Sequence, residues 1–138
     1  MDTHQISSVF THGMAFKSNI NGHTIITDTT ADGGGNNEGP SPKRLMLASL
    51  AGCTGIDVVS ILNKMKVAFS DFSIDVSAGL TDEHPKIYRD VLITYRIKVD
   101  DEDRPKMEKA VKLSKERYCG VSAMFSAFTK VESEIIFL

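Results

Sequence analysis

The segment from Leu45 to Leu62 constrains the fold more than any other part of this chain. It holds a single charged residue, Asp57, among leucines, alanines, isoleucines and valines. Ser41-Pro42, just ahead of it, supplies an N-cap and a first-turn proline for a helix that runs to about Lys66. A helix apolar nearly all round has to be buried on more than one side. Small residues (Ala48, Ser49, Ala51, Gly52 and Gly55) cluster on its middle turns and let another backbone approach closely. The length would suffice to cross a bilayer, but an internal Asp57 and two glycines favour a buried core helix over a membrane span. A chain of 138 residues has little else with which to cover such a helix. The expectation is a homodimer whose subunits pack these helices together, with no membrane as partner.

The rest of the chain reads as strands and shorter helices, an α+β arrangement in one domain over residues 1–138. Phe10, His12, Met14 and Phe16 alternate on one face of a first strand, Asn21-Gly22 supplies a type I′ turn, and His23 to Asp28 returns as a second strand. His12 reads as a strand residue at a sheet edge. Residues 29–40, with Gly33-Gly34-Gly35-Asn36-Asn37 in their middle, lack periodicity and read as a mobile loop. Two alternating strands follow, one through Phe72, Ile74, Val76 and Ala78, the other through Val91, Ile93, Tyr95, Ile97 and Val99. Asp103 and Pro105 then open an amphipathic helix with Met107, Ala110, Val111, Ser114 and Tyr118 on its apolar face. Its lysines form a solvated face. A break at Cys119-Gly120, a short helix to about Phe128 and a strand over 130–137 complete the pattern.

The charge balance narrows the function. Sixteen basic residues against eighteen acidic ones give a net charge of −2, and no Trp is present, so there is no footprint for nucleic acid. Met1-Asp2-Thr3-His4 lacks the basic and apolar stretches of a secretory leader, and the chain reads as cytoplasmic. In that compartment thiols are kept reduced, so Cys53 and Cys119 are expected to be free or transiently oxidised. A thiolate attacks a peroxide oxygen, and a second thiol within reach traps the sulfenic product as a disulfide. If Cys119 opens the short helix, backbone N–H groups and the helix dipole favour its thiolate. Cys53 lies about three turns into its own helix, so its activation has to come from outside that helix. Asp57, one turn on, projects from the same face as Cys53. It can orient a peroxide or accept its proton; equally, it can be a buried carboxylate satisfied by hydrogen bonds, and the two cysteines can be ordinary core residues. No paired Cys/His spacing points to a metal, and Pro40-Ser41 stand where a phosphate loop needs Lys and Ser/Thr. No cofactor is expected.

The stretch Gly39-Pro40-Ser41-Pro42-Lys43-Arg44, continuing through Leu50-Ala51-Gly52-Cys53-Thr54-Gly55-Ile56-Asp57, resembles the OsmC/Ohr family of osmotically inducible and organic hydroperoxide resistance proteins. So does Tyr118-Cys119-Gly120-Val121-Ser122, 66 positions on (119 minus 53), with a strand pair led by His84-Pro85 between. The resemblance covers nearly the whole chain. It implies an OsmC-like fold, antiparallel sheets wrapped around a long buried central helix, in an intertwined homodimer with active sites at the interface. It also implies reduction of organic hydroperoxides or hydrogen peroxide in oxidative-stress defence, with Cys53 peroxidatic, Cys119 resolving and a dithiol reductant restoring both. Catalytic members carry a Glu one or two positions after the helix-opening proline and an Arg in the N-terminal region. Here Lys43 and Arg44 stand at the Glu positions and no arginine precedes Arg44. Lys43 or Arg44 then becomes the candidate activating cation, with Glu38 or Asp57 as its carboxylate. The alternative, from another functional class, is a non-catalytic OsmC-like protein that holds an apolar or anionic small molecule in the same cleft. Lys43 and Arg44 near a helix N-terminus would favour an anion there.

Overall fold

A computed structural model describes all residues, 1–138, and the chain forms two compact units, Met1–Met46 and Leu47–Leu138. The first unit carries a three-stranded antiparallel sheet of β1 (Ser7–His12), β2 (Ala15–Ile20) and β3 (His23–Thr27), in that order. Asn21 and Gly22 both take positive φ, 53° and 83°, as a type I′ turn requires. The alternation from Phe10 to Phe16 conceals a second reversal. Gly13, at φ 57°, lets the chain fold back on itself, so the expected single strand is two. Phe10 faces Phe16 across the pair with ring centroids 5.6 Å apart, which is why the apolar period looks unbroken.

Residues 29–40 are not the mobile loop expected from their composition. Asp28, only 2% exposed, organises them from below. Its Oδ1 accepts the Thr29 N–H at 2.7 Å, and its Oδ2 accepts the N–H groups of Glu38 at 3.0 Å and Asn36 at 3.2 Å. Backbone bonds from Gly33 and Gly35 to the Thr30 carbonyl, and from Asn37 to that of Thr29, tighten the same turn. A Cβ on Gly35 would lie 2.2 Å from the Thr29 carbonyl oxygen, so the glycines serve close backbone approach here more than looseness.

In the second unit, α1 (Pro42–Lys64), which begins at the end of the first, lays one stripe into the core: Leu50, Thr54, Val58 and Leu62, one turn apart. Leu50, Val58 and Leu62 meet Ile93, Tyr95 and Ile97 together with Met107, Ala110 and Phe125 in one apolar cluster. Gly55 brings the helix so near the sheet that an added Cβ would lie 3.0 Å from Ile74 Cδ1. The helix closes in a Schellman motif. Val67 N–H bonds the Leu62 carbonyl and Lys66 N–H that of Asn63, with Lys66 itself left-handed at φ 59°.

The sheet beneath is β4 (Phe69–Leu80), β5 (Tyr88–Val99) and β6 (Val131–Phe137), in that order. β4 and β5 pair antiparallel, as expected; β6 departs from the expected antiparallel pattern and joins β5 in parallel. A parallel neighbour needs a long crossover. It is supplied by α2 (Arg104–Leu113), a π-helical turn over Ser114–Tyr118, and α3 (Gly120–Ser126).

Within the single chain the remaining faces of α1 stay open. Ile56 is 73% exposed and Met46 45%.

The Asp28 cradle carries a pH test. Its three backbone donors, Glu38 and Thr29 foremost, hold its carboxyl below the ordinary 3.8. A depressed carboxylate pKa contributes stability above the ordinary value and loses it as pH falls through the folded one. Amide exchange at Asn36 and Glu38 should therefore stay protected down to pH 3.8 and lose protection below it, whereas Asp28→Asn should lack that protection even at neutral pH.

Candidate active site

Three side chains from two parts of the second unit converge. Cys53 and Asp57 occupy the stripe of α1 next to its buried one, four residues apart and both half-buried. Cys119 arrives from the far end of α2. The cysteine sulfurs and a carboxylate oxygen of Asp57 all lie within 4.8 Å of one another. Both cysteines are free thiols.

The π turn makes this convergence. After α2 the chain opens into a wider coil, Ser114–Tyr118, closed by a 2.8 Å bond from the Cys119 N–H to the Ser114 carbonyl. π turns of this kind recur at functional sites because they re-aim a side chain. Here the turn points Cys119 inward, 3% exposed, while Tyr118 beside it is 59% exposed. Ser114, at the head of the turn, donates its Oγ–H to Asp57 Oδ2 at 3.0 Å. The same turn therefore positions one sulfur and orients the carboxylate. Nothing local in the sequence announces a π turn; Ser114 read only as an apolar-face residue.

Cys119 is the N-cap of α3, and its Sγ accepts the Ser122 N–H at 3.2 Å. The expectation that this favours the thiolate is correct in direction and loses in magnitude. Burial pushes the Cys119 thiol up to about 11, the Cys53 thiol beside it and the Asp57 charge add to the rise, and the Ser122 N–H offsets only part. At neutral pH Cys119 is a thiol. Behind the pair stands Tyr95 of β5, fully buried, its phenol likewise pushed upward mainly by burial, with charge on Cys119 and Asp57 adding to the rise.

A cleft of about 440 Å³ opens beside these groups, lined by Asp57, Ser60, Ile61, Lys64, Leu113 and Tyr118, with Met65. Its size lies within the range of small-molecule sites. Asp57 belongs both to the cleft wall and to the sulfur cluster, and so connects the two.

The supporting residues expected from the sequence fall differently. Glu38 pairs with His12, Oε2 to Nε2 at 2.6 Å. Arg44 donates to Ser41 Oγ at 2.9 Å in the opening turn of α1. Asp57 is satisfied by Ser114. No ion pair joins Lys43 or Arg44 to Glu38; Glu38 is engaged by His12 and Asp57 by Ser114 instead. His12 does lie at the end of the edge strand β1, but its partner Glu38 was not apparent from the sequence, because the two sit 26 positions apart (38 minus 12).

Long helix, two small sheets and two cysteines brought together describe a known class. The chain belongs to the OsmC-like protein family, which matches residues 34–134. Protein YhfA of Escherichia coli K12 is 31% identical over 103 residues, 75% of this chain and 74% of that protein. The crystal structure of a hypothetical protein from Aquifex aeolicus superposes with a TM-score of 0.81 at 29% identity, covering 100% of this chain and 99% of the other. An organic hydroperoxide resistance protein from Elizabethkingia anophelis, solved with thiocyanate bound, shares the fold with a TM-score of 0.72 at 13% identity, covering 100% and 98%.

The contrast between the cysteines can be tested on the reduced protein. At pH 8 iodoacetamide should label half-buried Cys53 and spare Cys119, whose labelling should begin only as pH approaches its value of about 11. Equal labelling at pH 8, read by peptide mass, would contradict this account of the site.

Proposed function

We propose that this protein is a thiol peroxidase for organic hydroperoxides or hydrogen peroxide, acting in oxidative-stress defence in the cytoplasm. The observation that carries the reading is the pair of free sulfurs, within 4.8 Å of each other and of a carboxylate, beside a cleft in an OsmC-like chain. Hydroperoxide resistance proteins among the structural neighbours support the same chemistry.

In this reading Cys53, the less buried thiol, gives up its proton and attacks the distal peroxide oxygen. The O–O bond breaks, an alcohol or water leaves, and Cys53 becomes a sulfenic acid. Cys119 then attacks that sulfur and water departs, which closes a disulfide at an S–S separation of about 2.05 Å. The sulfurs have to move together by less than about 3 Å, a shift that the extended backbone at Cys119, φ −79° and ψ 102°, is placed to accommodate. Asp57, within 4.8 Å of Cys119, is placed to take the proton that the high pKa of this thiol otherwise withholds. A dithiol reductant returns the pair to thiols.

Cumene hydroperoxide in slight excess should remove two thiols per chain and leave an intramolecular Cys53–Cys119 disulfide detectable by peptide mapping. Cys53→Ser should abolish peroxide consumption, and Cys119→Ser should stall at a sulfenic acid trapped by dimedone. Unchanged thiol titre would exclude the peroxidase reading. The cleft size also suits the alternative of a binding protein for an apolar or anionic small molecule; such binding would persist in Cys53→Ser.

The chain is proposed to act as one OsmC-like domain over 1–138, assembled as a homodimer. What supports the dimer is the open face of α1, where Gly52, Gly55, Ile56, Val59 and Phe72 line an apolar groove. A membrane would also cover such a face, and the two differ in a simple measurement. Light scattering without detergent should give twice the 15.1 kDa chain mass, and Ile56→Glu should shift it toward the monomer.

A further inference from the structure

The cluster that handles peroxide in this reading has a second chemical capacity. We propose that Cys53, Cys119 and Asp57 form a regulatory site for a thiophilic divalent cation, zinc above all, whose occupancy shields the cysteine pair from oxidation.

The argument starts from the donor set. Two sulfurs and one carboxylate oxygen lie within 4.8 Å of one another. In a tetrahedral zinc site, bonds of about 2.3 Å to sulfur and about 2.1 Å to oxygen put two sulfurs roughly 3.8 Å apart and a sulfur and an oxygen roughly 3.6 Å apart. Closing on a metal therefore asks each pair to contract by about 1.2 Å at most. Thiolate ligands with one carboxylate select a borderline-soft ion such as zinc over magnesium or calcium, which require oxygen donors. As thiolates and carboxylate the three donors carry three negative charges, two of which the ion offsets.

The surroundings fit a metal as well. Ser114 Oγ–H already donates to Asp57 Oδ2, which fixes the carboxylate as outer-shell partners do in metal sites. Asp57, one of the three donors, also lines the neighbouring cleft, and a fourth ligand, a water or a small thiol, is proposed to reach the ion from that side. Two ligands one helical turn apart on α1 and a third from the opposite wall also make a site that a single chain completes.

The redox consequence follows by balance and rests on the peroxidase reading. One hydroperoxide, the zinc dithiolate and two protons give a disulfide, one alcohol, one water and free zinc. Each thiolate sulfur is oxidised by one electron, the peroxide oxygens take both, and the disulfide no longer holds the ion. Metal and peroxide thus compete for the same two sulfurs.

The test uses the reduced full chain at neutral pH, titrated with zinc against a chromophoric chelator and separately with cobalt. One zinc per chain is expected, with a dissociation constant below about 1 µM. Cobalt should give a sulfur-to-metal charge-transfer band and the visible bands of tetrahedral coordination. Cys53→Ser and Cys119→Ser should each weaken zinc binding by at least about a hundredfold, and Ser114→Ala by about tenfold. Asp57→Asn, close in shape to the native side chain, should weaken it while circular dichroism stays native. Zinc-loaded protein should lose its thiols to cumene hydroperoxide at least about tenfold more slowly than the metal-free form. Binding weaker than this, or unchanged in Cys53→Ser, overturns the proposal. Metal-free protein that forms the disulfide yet takes up no zinc would leave the peroxidase reading standing and remove only the metal site; zinc binding without peroxide-driven disulfide would do the reverse.

Discussion

Packing of one stripe of α1 into the second unit's core is the constraint on which the other features depend. Leu50, Thr54, Val58 and Leu62 set the rotation of the helix about its axis. Once that rotation is set, the neighbouring stripe of Cys53 and Asp57 has to face the end of α2, since residues four apart share a face. The apolar burial that stabilises the fold, on the order of 2 kcal/mol for each fully buried leucine or valine, therefore also aims Cys53 and Asp57. Thr54 sits inside this stripe because its hydroxyl turns back onto the Leu50 and Ala51 carbonyls at 3.0 and 3.2 Å and is itself paired.

Electrostatics at the site separate two thiols of the same chemistry. Cys119 gains one backbone N–H and loses nearly all contact with water, and the loss dominates, so it holds its proton at neutral pH. Cys53 keeps partial exposure. A division of labour between an attacking and a resolving sulfur can arise from burial alone, without a dedicated cation beside either one. That is of interest in a chain that carries Lys43 and Arg44 just after the proline that opens α1.

Much of this was legible from residue order. The central helix, the type I′ turn at Asn21-Gly22, the alternating strands β4 and β5 and the pairing of Cys53 with Asp57 are all local patterns, and local patterns survive into the fold. What escaped depends on residues far apart in the chain or on geometry that composition does not encode. The reversal at Gly13 hid behind an uninterrupted alternation, because Phe10 and Phe16 meet across the turn. The glycine-rich segment looked loose, but a single buried carboxylate, Asp28, ties it down through three backbone donors. The partners of Glu38 and Asp57 lie 26 and 57 positions away (38 minus 12, 114 minus 57), beyond any periodicity argument.

The π turn has a consequence for how such a chain can change over time. An α-helix advances by about 100° of azimuth per residue, and the wider coil over Ser114–Tyr118 absorbs one residue more than an α-helical turn would. It works as a phase-shifter. Losing or gaining a single codon between Met107 and Cys119 would swing the Cys119 sulfur by roughly a quarter of a revolution without replacing either cysteine or Asp57. Lineages can thus drift freely in side-chain identity on the solvated flank of this segment, yet its length is a counted quantity.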